Sequence, residues 1–140
     1  MKLLIIFIFL FILSLTGKSQ NLPVNFDDCK TDMFFAVVDE QPKFGSDSLS
    51  VAGYFNQYFG TTGILDDFSG KIVLGILIFD DGKPCCKSFI NMSTEDIKSE
   101  LFKEAVNQMP YWLPAKQNNK TVPFLIQLPL NFKNGQVISP

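Results

Sequence analysis

Hydrophobic and polar residues alternate most regularly near the C-terminus. From Val122 to Phe132 the even positions Val122, Phe124, Ile126, Leu128, Leu130 and Phe132 are all apolar. The odd positions carry Pro123, Leu125, Gln127, Pro129 and Asn131. A period of two predicts a strand with one buried face and one largely exposed face. The N–H and C=O of a strand residue point to the same lateral side, and that side alternates along the chain. Pro123 and Pro129 therefore delete donors from one side only, which predicts an open edge there. The donors left on that side are Leu125, Gln127 and Asn131. Open edges are where sheets recruit further strands.

Upstream, residues 71–79 (Lys-Ile-Val-Leu-Gly-Ile-Leu-Ile-Phe) form a nearly continuous apolar run, which predicts the centre of the sheet. Asp80-Asp81-Gly82-Lys83 is a hairpin turn, and residues 85–90 return behind Pro84. Residues 33–38 (Met-Phe-Phe-Ala-Val-Val) predict a further short strand. Two stretches carry helical spacing instead. Leu49, Ala52, Phe55 and Phe59 mark one buried stripe, with Ser46 or Asp47 as N-cap and Gly60 as a left-handed end. Tyr54 and Tyr58 share its flank. Ile97, Leu101, Ala105 and Met109 mark the other stripe, after a capping-box-like Ser93-Thr-Glu-Asp96 and before Pro110. The expected fold is α+β: a small antiparallel sheet, made of the central hairpin plus a C-terminal edge strand, with two helices packed on one face.

Composition changes the picture at the N-terminus. Lys2 precedes an apolar run of thirteen residues ending at Leu15, and Gly17 and Ser19 stand at the −3 and −1 positions of a cut before Gln20. That run is short for a spanning helix, which needs ~20 apolar residues. The expectation is a signal peptide at 1–19, a polar leader at 20–32, one domain at 33–134 and a tail at 135–140. The chain is then exported and periplasmic, or anchored in the inner membrane if the signal is not cut. The mature chain holds ten lysines against fourteen acidic residues, with no arginine and no histidine, a net charge of −4. An acidic chain without arginine is unsuited to nucleic acid, since phosphate contacts need clustered basic side chains.

The candidate chemistry is sparse. Without histidine there is no Ser-His-Asp or Cys-His arrangement and no imidazole ligand. The carboxylate pairs at 27/28, 39/40, 66/67 and 80/81 sit beside turn residues and read as solvated turn positions. Neither a metal nor a cofactor is expected, and no small-molecule substrate is identified. Trp112, between Pro110 and Pro114, reads as a core plug that pins its loop. Cys29, Cys85 and Cys86 allow one disulfide; adjacent cysteines on a strand face opposite sides, so the expected bridge joins Cys29 to Cys85 or Cys86. The chain is not expected to be an enzyme.

The run Met109-Pro-x-Trp112-x-Pro114-Ala-Lys-Gln-Asn-Asn-Lys-x-Val122, followed by Leu128-Pro-x-x-Phe132, resembles the C-terminal domain of TonB-type energy transducers in the form common among Bacteroidetes. Val38-Asp-Glu-Gln-Pro-Lys-Phe44 is similar to that family's opening segment, and Gly70-Lys-Ile-Val-Leu with Asp81-Gly82 to its hairpin. The likeness covers roughly residues 37–132. It departs at Ala115 and Asn119, where glycine is usual, and at Phe59-Gly60, where Tyr-Pro is usual. The resemblance implies a non-enzymatic periplasmic module that binds a segment of an outer-membrane transporter by β-strand addition, in TonB-dependent transport. Only about a dozen residues separate Ser19 from Met33, at most ~3.5 Å each when extended, so a stand-alone relative, an accessory binder or a decoy is expected rather than a transducer spanning the periplasm. The alternative is an exported structural or self-associating domain that dimerises through the same edge.

Overall fold

The computed structural model describes residues 21–31, 33–45 and 47–139. The expected signal segment lies outside the described residues, as do Ser46, one of the two expected caps, and Pro140. Among the described residues no helix is long and apolar enough to cross a membrane.

The fold is α+β. Five strands form a mostly antiparallel sheet, a two-stranded ribbon lies beside it, and two helices pack on the sheet. β1 is Val24–Asn25, α1 is Val51–Gly60, β2 is Gly70–Ile78, β3 is Pro84–Asn91 and α2 is Ser99–Asn107. The ribbon is β4 (Ala115–Gln117) with β5 (Lys120–Val122); β6 is Phe124–Lys133 and β7 is Gln136–Ser139. The strand order is β1-β3-β2-β6-β7. Ile72, Leu74, Ile76 and Ile78 of β2, Phe55 and Phe59 of α1, and Phe102, Ala105 and Val106 of α2 share one buried cluster, so both helices cover the same face. Central β2 pairs with β3 on one side and, through nine residue pairs from Gly70↔Phe132 to Ile78↔Phe124, with β6 on the other.

Turn chemistry explains the hairpins. Gly82, at φ +90°, closes the β2–β3 turn, and the Asp81 carboxylate accepts from the Lys83 N–H at 2.9 Å. A side chain on Gly82 would run into the Trp112 carbonyl, so the turn and the proline-bounded loop fit only with glycine there. The β4–β5 turn uses Asn118 and Asn119, both at positive φ (50° and 61°), as a type I′ hairpin requires. Trp112 is 7% exposed, meets Phe44 edge-on at 5.3 Å and donates its backbone N–H to Gly82. It is a plug, as its place between prolines suggests.

Several expected boundaries move. α1 begins at Val51, with Ser50 accepting from the Gly53 N–H at 3.0 Å. It does not end on a left-handed Gly60: the Thr61 and Thr62 hydroxyls take the Tyr58 and Phe59 carbonyls, and the positive φ falls on Gly63. Ser93 caps no helix: its hydroxyl accepts from the Glu95 N–H at 3.2 Å in a local turn that Asn91 also braces, and α2 starts at Ser99 instead. Residues 33–38 form no strand. Phe35 makes a single parallel bridge to Phe124, and Met33 and Val37 are 80% and 81% exposed. The leader belongs to the fold, through β1 and the buried Phe26 and Cys29. The expected tail returns as β7, so the domain reaches past residue 134 and β6 is not the terminal edge strand.

Candidate functional site

Every sheet of this kind has edges, and their unpaired N–H and C=O groups invite further strands unless something covers them. Each edge here is covered differently. At β3, the Cys86 N–H donates to the Asn107 side chain at 2.9 Å, the Phe26 N–H donates to the Lys87 carbonyl at 2.9 Å, and β1 pairs with Ser88 and Phe89. At β7, Asn56 of α1 takes both backbone groups of Val137, accepting from its N–H at 2.7 Å and donating to its carbonyl at 3.3 Å. An asparagine on a helix thus stands in for the next strand.

β6 is covered only at its ends. The Phe35 N–H donates to the Pro123 carbonyl at 2.9 Å, which shows that odd-numbered backbone groups point away from β2. Pro123 and Pro129 therefore lie on the outward side, where a missing donor breaks no bond to β2. This is why a strand inside the sheet order tolerates Pro129 within it and Pro123 just before it. Downstream, β7 stands opposite residues 131–133. Between the Phe35 bridge and β7, no strand among the described residues lies on the outward side of residues 125–130.

The three expected edge donors fare differently. Gln127 lies in the middle of the open stretch, exposed and opposite Gly75 of β2. Leu125 borders the Phe35 bridge, and its half-buried side chain packs with Leu77, Phe79 and the Cys29–Cys85 pair on the helix-free face. Asn131 is not open: it stands opposite Ser139 in the β6–β7 ladder, and its side-chain amide donates to the Ser139 hydroxyl at 3.1 Å. The reason is the Asn134-Gly135 turn, at φ 48° and 78°, which folds the chain back onto β6. Asn-Gly is the strongest short hairpin signal a sequence carries, so β7 was detectable. Asn56 and Asn107, by contrast, carry no local signal of their edge-capping role.

Beyond the Phe35 bridge the open stretch offers a partner one donor, at Gln127, and outward carbonyls at Leu125, Gln127 and Pro129. A segment laid along it would supply most of the donors itself. No ionisable side chain stands among outward residues 125, 127 and 129. The exposed Met33, Phe34, Phe35 and Val37 flank its upstream end. The Tyr54/Tyr58 flank is less available: the Tyr54 hydroxyl donates to the Ala105 carbonyl at 2.7 Å, and burial pushes its phenol up to about 12, with Tyr58 adding to the shift.

The structure joins Cys29 to Cys85 and leaves Cys86 free and buried. The β3 pleat places Cys85 on the helix-free face and Cys86 in the main core, which is why the neighbouring sulfurs take different partners. No protein-family model, no curated protein and no solved structure matches the chain.

Proposed function

We propose that this chain is an exported protein-interaction module that receives a short extended segment of a partner on the open stretch of β6, in the manner of a TonB C-terminal domain receiving part of an outer-membrane transporter. The observation that carries this reading is the uneven treatment of the edges: β3 is met from Cys86 to Phe89 and β7 at Val137, and among the described residues no strand covers β6 between Phe35 and Asn131. The Trp112 loop and the Leu128-Pro129-x-x-Phe132 run support the likeness from sequence. Strand addition needs no catalytic group, since main-chain bonds provide affinity and alternating side chains select the partner.

The length of the opening limits what enters. Six residues at ~3.3 Å each span about 20 Å, enough for one short strand. A second copy fits poorly. Symmetric antiparallel pairing centred on Gln127 would set Asn131 of one copy, already under β7, against Pro123 of the other, already bonded to Phe35. The alternative of a self-associating domain therefore has the weaker geometric case.

A photocrosslinking side chain at Gln127, in cells that export the protein, tests the proposal against the same group at Lys98 near the start of α2. Crosslinks to an outer-membrane transporter from Gln127 alone are expected, and Gln127→Pro should abolish capture of that transporter. The substitution removes an outward donor, so the unfolding free energy should change by less than about 1 kcal/mol. Equal crosslinking from both positions, or a Gln127→Pro variant that still captures the transporter, would sink the proposal.

A further inference from the structure

The leader, residues 21–29, lies along the outer edge of β3, and most of what holds it is slight. β1 pairs only Val24 with Phe89 and Asn25 with Ser88. Phe26 adds one backbone bond and a buried ring. Asp28 makes a surface ion pair with Lys103, whose ammonium also sits 5.2 Å from the Phe26 ring centre; surface pairs of this kind bind weakly. The remaining attachment is covalent, Cys29 to Cys85 at the head of β3.

Both cysteines are nearly buried, Cys29 at 4% and Cys85 at 8% exposure, and the side from which a thiol comes nearest is that of Cys85. Cys85 lines a surface cleft of about 490 Å³ together with Asp28, Lys30, Phe79, Lys83 and Pro84. Cys86 is excluded from the exchange. It projects through the other face of β3, fully buried, with its thiol facing the Ser88 carbonyl at 3.7 Å. Burial pushes that thiol up to about 12, so it stays protonated and a poor nucleophile.

We infer that the Cys29–Cys85 disulfide is a redox latch, opened by a dithiol reductant, that decides whether the leader stays on the β3 edge. A thiolate of the reductant attacks Sγ of Cys85 from the cleft. The S–S bond breaks, and its electron pair leaves on Cys29, which takes a proton from water. The second thiol of the reductant then displaces Cys85, which is protonated in turn, and the reductant ends as a disulfide. Two electrons and two protons are transferred overall. With the bond open, a two-residue strand, one ring and a surface ion pair are left to hold the leader. Its release uncovers the outer edge of β3 at Lys87–Phe89 and the Leu77, Phe79 and Leu125 cluster bordering the open stretch of β6. The β2–β6 ladder contains neither sulfur and is expected to persist.

The full chain is titrated with dithiothreitol in native buffer, alkylated and peptide-mapped, with amide exchange followed in parallel. Cys29 and Cys85 should become alkylated together, with Cys86 at least tenfold slower. Exchange at the Phe26 amide should rise at least tenfold, while Leu74 and Leu130 change less than twofold. Reduction that occurs only as fast as Cys86 becomes reactive would mean that the bond opens by global unfolding, and would overturn the latch. So would an unchanged Phe26 amide after reduction. The C29S/C85S variant should show the fast Phe26 exchange without reductant. Wild-type protection at Phe26 there, or a Cys86 that alkylates as in the unfolded chain, equally refutes it.

Discussion

Asn56 does for β7 what a further strand would otherwise do. Its amide matches both backbone groups of Val137, 81 residues away in sequence, and keeps the last strand from offering a free edge. Asn56→Ala strands a buried backbone pair and should cost about 1–3 kcal/mol, read as a lower urea midpoint with unchanged slope. Amide exchange should speed up in β7 first. A second residue-scale test uses β6. Leu130 is fully buried, whereas Ile126 is half-buried beside the open stretch. Leu130→Ala should cost about 2–5 kcal/mol, and Ile126→Ala distinctly less. Equal losses would mean that the open stretch is as well covered as the rest of the strand.

The elements differ in how firmly they are held. β2 and β6 pair along nine residues and share the aromatic core beneath α1 and α2, whereas β1 has two residues and β7 four. Both short strands depend on something outside the sheet, the disulfide for the leader and Asn56 for β7. A bridge closing the chain between residues 29 and 85 contributes about 4 kcal/mol on the chain-entropy account. C29S/C85S should therefore melt well below the wild type in a calorimetric scan while keeping its helical circular dichroism. Loss of that helical signal at room temperature would show the leader to be part of the folding core.

For the whole molecule, three pKa shifts act in one direction. Burial raises the Cys86 thiol from about 9 to about 12 and the Tyr54 phenol from about 10 to about 12. The hydrogen bond that Lys103 donates to the Asp28 carboxylate is the main cause that raises Lys103. In each case the folded chain keeps a proton that the unfolded chain has begun to lose. Their contribution is complete below the unfolded pKa values and is lost as pH rises through the folded ones. Stability should therefore fall from pH 9 towards pH 12, with Cys86 accounting for roughly 2–4 kcal/mol of the decline. Urea midpoints measured across that range check this. Cys86→Ala should lower the midpoint at neutral pH but remove the part of the decline that begins near pH 9. A variant that retains that early decline would assign it elsewhere.

Much of this protein is legible in the order of its residues. The alternation from Val122 to Phe132 marks a strand and its buried face, and the spacing of Pro123 and Pro129 identifies the odd-numbered side as the one turned away from β2. Asp80-Asp81-Gly82 marks the hairpin, and the helical stripes place α1 and α2 within a few residues. These features are local: a period, a missing N–H or a turn residue acts within a few positions of itself. What occupies each edge is long-range. The pattern of β6 says that one lateral side lacks donors, and only the fold shows β7 covering Asn131, Phe35 touching one end and Gln127 left bare between them. Likewise the three cysteines permit two pairings with Cys29, and the pleat of β3 selects Cys85. The apolar stretch from Met33 to Val38 looks like a strand in isolation, yet it meets the sheet only at the Phe35 bridge to Phe124 and is otherwise largely exposed. A strand's own sequence sets its faces and its donors, while its neighbours are settled by which distant segments pack best against the shared core.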